Sequence, residues 1–271
     1  MKTRVISAVV LLPLLLLVVL AAPKIWTCIL FAAMAAVAAY EILAGTGLVK
    51  NTRLCLYSAG MGFLCVLWCG LTLHYAWLLL AILLFWVALF AEMMASEMKL
   101  SFTKTAMCFA AGLVLPMLLG AVIRIHKGEF GRFFVLIPFA LAFLSDSGAY
   151  FAGLKFGKRK LAPVISPKKT VEGAIGGAVA AVAGMLIYCA VLHIGFRFEV
   201  NYLYSFIYGI LGCAAGVFGD LSFSVIKRQT GIKDYGNVIP GHGGILDRFD
   251  SMILIAPFTE ILLLLLPLAV R

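Results

Sequence analysis

The sequence predicts an all-α polytopic membrane protein of about nine transmembrane helices, with its N-terminus cytoplasmic and its C-terminus outside. Three observations predict it. Of 271 residues, 64% are hydrophobic and only 13% are charged, whereas soluble domains carry roughly 25% charge and about 45–50% apolar residues. Nine stretches approach the ~20 apolar residues that cross a bilayer as a helix. The positive charges are shared unevenly between alternate loops, as the positive-inside rule requires. The same composition excludes a disordered chain, which needs low hydrophobicity and high charge density. It also excludes a secreted disulfide scaffold, because the seven cysteines are odd in number, scattered through apolar segments and form no CxxC pair. A net charge of +10 in so apolar a chain points to the membrane and not to nucleic acid.

In chain order the stretches cover about residues 5–23, 25–46, 54–73, 76–95, 105–124, 133–153, 171–194, 202–226 and 249–270. The first begins like a signal peptide, with Met1-Lys2-Thr3-Arg4, and ends Ala-Ala-Pro. Its apolar run is longer than a usual signal core and eight more follow, so it reads as a retained span. With nine spans, one face collects sixteen of the 22 Lys and Arg side chains, ten of them in the last two loops on that face. That face is the cytoplasmic one. The chain reads as one integral membrane domain over residues 1–271, with 1–132 mainly a helical scaffold and 133–271 carrying the chemistry.

The polar residues carry that division. Up to residue 144 the only acids are Glu41, Glu92, Glu97 and Glu129. Glu41 lies near the cytoplasmic end of the second span, where it is either a functional carboxylate or an interfacial structural one. Three polar stretches follow on the same face: Ser145–Tyr150, Ser166–Gly173 and Asp220–Asp250. Ser166-Pro167 suits an N-cap and first helical position, and a helix start beside Lys168 and Lys169 suits phosphate. Asp220, Ser224 and Lys227 follow i, i+4, i+7 spacing on one helix face. Beyond them, Lys227, Arg228, Lys233 and Arg248 offer four cations, and Gly241, Gly243 and Gly244 surround His242. Asp220, Asp247 and Asp250 are hard oxygen donors suited to magnesium. His242 has no second His or Cys nearby to make a zinc site. Acids for a metal beside bases for phosphate are what phosphoryl and nucleotidyl transfer require.

The 27-residue run from Ser224 to Asp250, with Lys227-Arg228, Lys233-Asp234, Gly236, Ile239-Pro240, His242-Gly243-Gly244-Ile245 and Asp247-Arg248-Phe249-Asp250, resembles the signature of the phosphatidate cytidylyltransferase (CDP-diacylglycerol synthase) family. Ser145-Asp146-x-x-Ala149-Tyr150 and Ser166-Pro167-Lys168-Lys169-Thr170-x-Glu172-Gly173 are similar to that family as well. The resemblance implies transfer of a cytidylyl group from CTP to phosphatidate, giving CDP-diacylglycerol and pyrophosphate, with magnesium, in phospholipid biosynthesis at a bacterial cytoplasmic (inner) membrane. CTP, phosphatidate and membrane lipids are then the partners. The expected catalytic set is Asp220, Lys227, Arg228, Lys233, His242, Asp247 and Arg248. Ser166, Lys168, Lys169, Ser224, Gly243 and Gly244 are expected to bind substrate. Asp220 and Asp247 are the expected metal ligands, Asp250 a third ligand or support, and Asp146 a candidate for a second cation or for orienting a lysine.

The reading from another class is a secondary transporter with intramembrane acids as ion sites. Against it, the acids cluster at one face and no internal repeat relates two halves of the chain. Glycine spacing, including Gly212 and Gly216, suits packing within the chain and a homodimer equally.

Overall fold

A computed structural model describes residues 13–97 and 99–270. The chain divides into two compact units, Met1–Arg132 with Lys227–Phe249, and Phe133–Ile226 with Asp250–Arg271. It is nearly all helical, and among the described residues seven helices are long and apolar enough to cross a membrane.

The first unit contains α1 (Lys24–Gly45), α2 (Thr52–Gly70), α3 (Tyr75–Ala95) and α4 (Phe102–Lys127). The last turn of α1, Glu41–Gly45, is a π turn, a local widening that is frequent at functional sites. A second π turn, Ala110–Val114, interrupts α4 just before Pro116. Proline has no N–H and crowds the carbonyl four residues back, here that of Gly112, and the extra residue in the turn relieves the clash. Asn51 caps α2 by accepting the Arg53 N–H at 3.0 Å, and His74 caps α3 by accepting that of Ala76 at 3.2 Å. Leu43, Leu54, Met61, Cys65, Phe85, Leu89 and Cys108 form the core. All seven cysteines are buried free thiols.

The second unit is built on α5 (Gly131–Phe156), α6 (Val171–Phe196) and α7 (Tyr202–Gln229), the first two residues of α5 and the last three of α7 belonging to the first unit. Backbones approach closely because glycines face each other's helix. A Cβ on Gly177 would meet the Ser145 carbonyl at 2.7 Å, and one on Gly212 would meet Leu141 at 2.6 Å. The glycine pattern of these spans therefore serves packing within the chain. Between α5 and α6 lies an antiparallel hairpin of β1 (Lys160–Ala162) and β2 (Ser166–Thr170). A second small ladder joins β3 (Glu199–Val200) to β4 (Ala269–Val270).

Seven of the nine expected spans thus have long apolar counterparts. The first lies partly outside the described residues, and of its described part residues 13–21 are helical. The last is shorter than expected: after the single turn α8 (Leu246–Phe249), α9 (Met252–Leu265) has 14 residues and contains Pro257. That is about 21 Å of helix, against a hydrocarbon core of about 30 Å.

One expectation about the second unit is corrected. Ser166-Pro167 does not open a helix; both residues lie in β2. The helix starts at Val171, and its cap is Thr170, whose Oγ1 accepts the Gly173 N–H at 3.1 Å. Thr170 is held by its pairing with Lys160, and a proline is tolerated in a two-stranded ribbon where its missing N–H has an open edge to face.

Candidate active site

The expected site residues fall into two clusters, one in each unit. In the first unit the segment after α7 folds around Asp247, whose side chain is only 3% exposed. Its Oδ1 accepts from Lys227 Nζ at 3.0 Å, and its Oδ2 accepts from the backbone N–H groups of Tyr235 and Gly244, at 2.8 and 2.9 Å. A buried carboxylate is tolerated when it is paired and hydrogen-bonded in this way. Lys227 also lies 5.2 Å from the centre of the buried Tyr235 ring, in cation–π range.

The glycines of the loop have specific tasks. Gly241 and Gly243 take φ of 76° and 87°, a region side-chain-bearing residues rarely adopt. That geometry lets Ile239 N–H donate to the Gly243 carbonyl and His242 N–H to the Ile239 carbonyl, both at 2.9 Å. Arg248 Nε donates to the His242 carbonyl at 2.7 Å. His242 Nδ1 is buried and has no hydrogen-bond partner among the described residues. Arg228, Lys233 and Arg248 are exposed on this frame.

Glu41 is the residue that the sequence left open and the structure places. It is 4% exposed, and it sits 204 and 205 positions before its partners. Its Oε1 accepts from Ile245 N–H at 3.1 Å, and its Oε2 accepts from Leu246 N–H at 2.8 Å. These donors open the short helix α8 and would otherwise be orphans. A Cβ on Gly236 or Gly244 would collide with the Glu41 carboxylate. Its only advance signal was a lone acid near the end of an apolar span.

In the second unit Lys169, on β2, makes an ion pair with Asp220 on α7, both side chains about a quarter exposed. Asp146 on α5 lies within electrostatic range of both. Lys168 is exposed beside them, and Ser166 is partly so. Gly219 lets the Asp250–Ser251 backbone approach α7, since a Cβ there would meet the Asp250 carbonyl at 2.9 Å. Asp250 and Ser224 are buried, and Asp250 Oδ1 accepts the N–H of Ser251 at 2.8 Å. Glu172, in the first turn of α6, accepts from the N–H groups of Lys158 and Arg159 at 3.0 and 3.1 Å and so ties the chain before the hairpin to the helix start.

As donors for a divalent cation, the two clusters differ. Asp220 is paired with Lys169 and lies within electrostatic range of Asp146, and a magnesium ion commonly takes one or two carboxylates and completes its shell with water and phosphate oxygens. Asp247 already uses both oxygens to hold Lys227 and the loop backbone. Among the described residues no three His, Cys, Asp or Glu side chains gather as a complete cage.

Among the described residues seven helices are long and apolar enough to cross a membrane, and a glycine-rich loop that bears cations is tied down by buried carboxylates, the features of a polytopic integral membrane protein. The chain belongs to the cytidylyltransferase family, whose sequence model matches residues 2–266. It is 40% identical over 156 residues to a phosphatidate cytidylyltransferase of Haemophilus influenzae, covering 55% of this chain and 54% of that one. A phosphatidate cytidylyltransferase of Bacillus subtilis is 42% identical over 137 residues, 51% of this chain and 49% of its own. One of Staphylococcus saprophyticus is 38% identical over 169 residues, 62% and 63% of the two chains. The chain therefore spans about half to three-fifths of the length of these relatives.

Proposed function

We propose that the protein is a phosphatidate cytidylyltransferase. A phosphatidate oxygen attacks the α-phosphorus of CTP, the bond to the β-phosphate oxygen breaks, and pyrophosphate leaves as CDP-diacylglycerol forms. The observation that carries this reading is the loop from Lys227 to Phe249. Asp247 and Glu41 rigidify its backbone, while Arg228, Lys233 and Arg248 stay exposed on it as donors for phosphate. The names of the relatives fit the same reaction.

The nucleophile is already an oxyanion at neutral pH, so no strong general base is needed. What the chain must do is bring two anions together and neutralise the leaving pyrophosphate. The cations that bind phosphates are Arg228, Lys233 and Arg248 in the first unit, and Lys168 and Lys169 in the second. Lys227 is committed to Asp247 and holds the loop in shape. His242 Nδ1 offers a hydrogen bond to a phosphate oxygen or to the cytosine, and the positive-φ glycines beside it allow substrate close to the backbone. Magnesium, when bound, supplies neutralisation of phosphate charge and polarisation of the α-phosphate. Asp220, with Asp146 in electrostatic range of it, would hold it.

The proposed setting is a bacterial inner membrane with the loops that carry these residues on the cytoplasmic face, where CTP is available. The N-terminus would be cytoplasmic, the C-terminus outside, and the spans nine. Incubating the purified full chain with CTP, magnesium and phosphatidate tests the reaction. Liponucleotide and pyrophosphate are expected in equal amounts and only with all three present. Pyrophosphate release without phosphatidate would overturn it. Asp220→Asn should abolish nearly all magnesium-dependent turnover in folded protein, and near-normal turnover would sink the metal assignment.

A further inference from the structure

A second cationic site lies at the other end of the first unit. The helices α2 and α4 end together, at Gly70 and Lys127, and the residues around these ends line a cavity of about 450 Å³. That volume suits a small ligand or a lipid headgroup. Its lining includes Trp68, Leu71 and Thr72, together with Arg124 and Lys127. Arg124 is anchored on the Met117 carbonyl at 3.1 Å and on Cys69 Sγ at 3.3 Å. Lys127 Nζ donates to the Leu71 carbonyl at 3.3 Å, and Lys24 Nζ reaches the carbonyls of Lys127 and Gly128 at 3.3 and 3.4 Å.

Cations at helix C-termini are in part explained by the carbonyls they meet. Two observations go further. Neither Lys24 nor Lys127 has a carboxylate partner among the described residues, although the exposed Glu129 is close in sequence. The indole Nε1–H of Trp68 is buried and has no acceptor among the described residues, and a buried donor left unmade is costly. Ammonium and indole N–H groups are donors without acceptor capacity. The group that answers them is an anion with several acceptor oxygens.

Position says which anion. Lys24 and Glu41 begin and end the same helical run, about 25 Å apart along its axis, close to the thickness of a bilayer core. The cavity therefore lies at headgroup depth on the face opposite the Glu41-bound loop, and its walls are mostly apolar. We propose that it binds the phosphate of an anionic phospholipid in that opposite leaflet. This site does not depend on the catalytic reading.

Native mass spectrometry of the purified full chain, in neutral detergent with added phosphatidylglycerol, phosphatidylcholine or inorganic phosphate, tests it. Wild type should keep one phosphatidylglycerol that phosphatidylcholine does not replace and millimolar phosphate does not displace. Arg124→Gln with Lys127→Gln should weaken retention of that lipid by about tenfold or more, through loss of two charge-assisted donors. Trp68→Phe keeps the ring, removes only the N–H and should weaken it by roughly two- to fivefold, which decides the matter if the double variant does not fold. Lys168→Gln with Lys169→Gln should leave it in place. Equal retention by wild type and Trp68→Phe, or loss of this lipid from the Lys168/Lys169 variant, would overturn the site. Displacement by inorganic phosphate would overturn its assignment to a lipid.

Discussion

Glu41 and Asp247 do similar work from different directions. Each is a buried carboxylate whose oxygens accept backbone N–H groups of the signature loop, and only Asp247 is also paired with a lysine. Glu41→Gln keeps one acceptor oxygen but turns an NH2 toward a backbone N–H. Leaving one buried donor unmet costs about 1–3 kcal/mol, so its thermal midpoint in detergent should fall. Turnover with CTP and phosphatidate should fall with it, and further for Glu41→Ala, which removes both acceptors. Unchanged turnover in folded Glu41→Ala would show that the loop does not need this anchor. Asp247→Asn leaves the largely buried Lys227 beside a neutral partner, and breaking a buried pair from one side costs about 3–5 kcal/mol. Pairing it with Lys227→Met should recover part of that loss. The coupling is expected at about 0.5–3 kcal/mol in a double-mutant cycle on unfolding free energy. Strict additivity would mean that the pair contributes no more than its separate parts.

Among the elements, the α5–α6 contact shows how far local pattern carries. Small residues four apart predicted close approach, and the structure sets Gly148 and Gly153 of α5 against Gly173, Gly176 and Gly177 of α6. Gly177→Ala puts a methyl group 2.7 Å from the Ser145 carbonyl, so the helices must part, at a cost of about 1–3 kcal/mol. Gly195→Ala, on the same helix with open space around it, should be neutral or stabilising by up to about 1 kcal/mol, since alanine is the better helix former. Thermal unfolding of the two variants in one detergent distinguishes packing from helix propensity, and equal midpoints would remove the packing account. The start of α6 shows the limit of pattern. Ser166-Pro167 and Thr170 are both acceptable local starts, and pairing with Lys160, ten positions before Thr170, selects Thr170. The same limit hid Glu41, because nothing local in a 17-residue apolar run reveals a partner two hundred residues on. Apolar runs and the glycine-rich signature were readable because they are local. The anchors that fix the loop are not.

At the scale of the whole molecule the orientation rests on charge, and the structure provides clean reporters for it. All seven native cysteines are buried, so a membrane-impermeant maleimide should react little with the folded wild type, and single added cysteines can be read against a low background. Val164 is 86% exposed in the turn between β1 and β2, beside the basic residues that dominate the positive-inside bias. Glu129 is exposed just beyond α4, at the end of the first unit that carries Lys24 and Lys127. If basic loops are retained in the cytoplasm, Glu129→Cys should label in intact cells. Val164→Cys should label only after the membrane is opened. The charge argument is weakest where it is least independent, because ten of the sixteen retained cations lie in the very loops proposed to bind phosphate. Cations kept for substrate would still hold their loops on the cytoplasmic side, so chemistry and topology predict the same labelling. The reverse pattern, with Val164→Cys reactive in intact cells, would place the loops away from CTP and remove the proposed reaction along with the orientation.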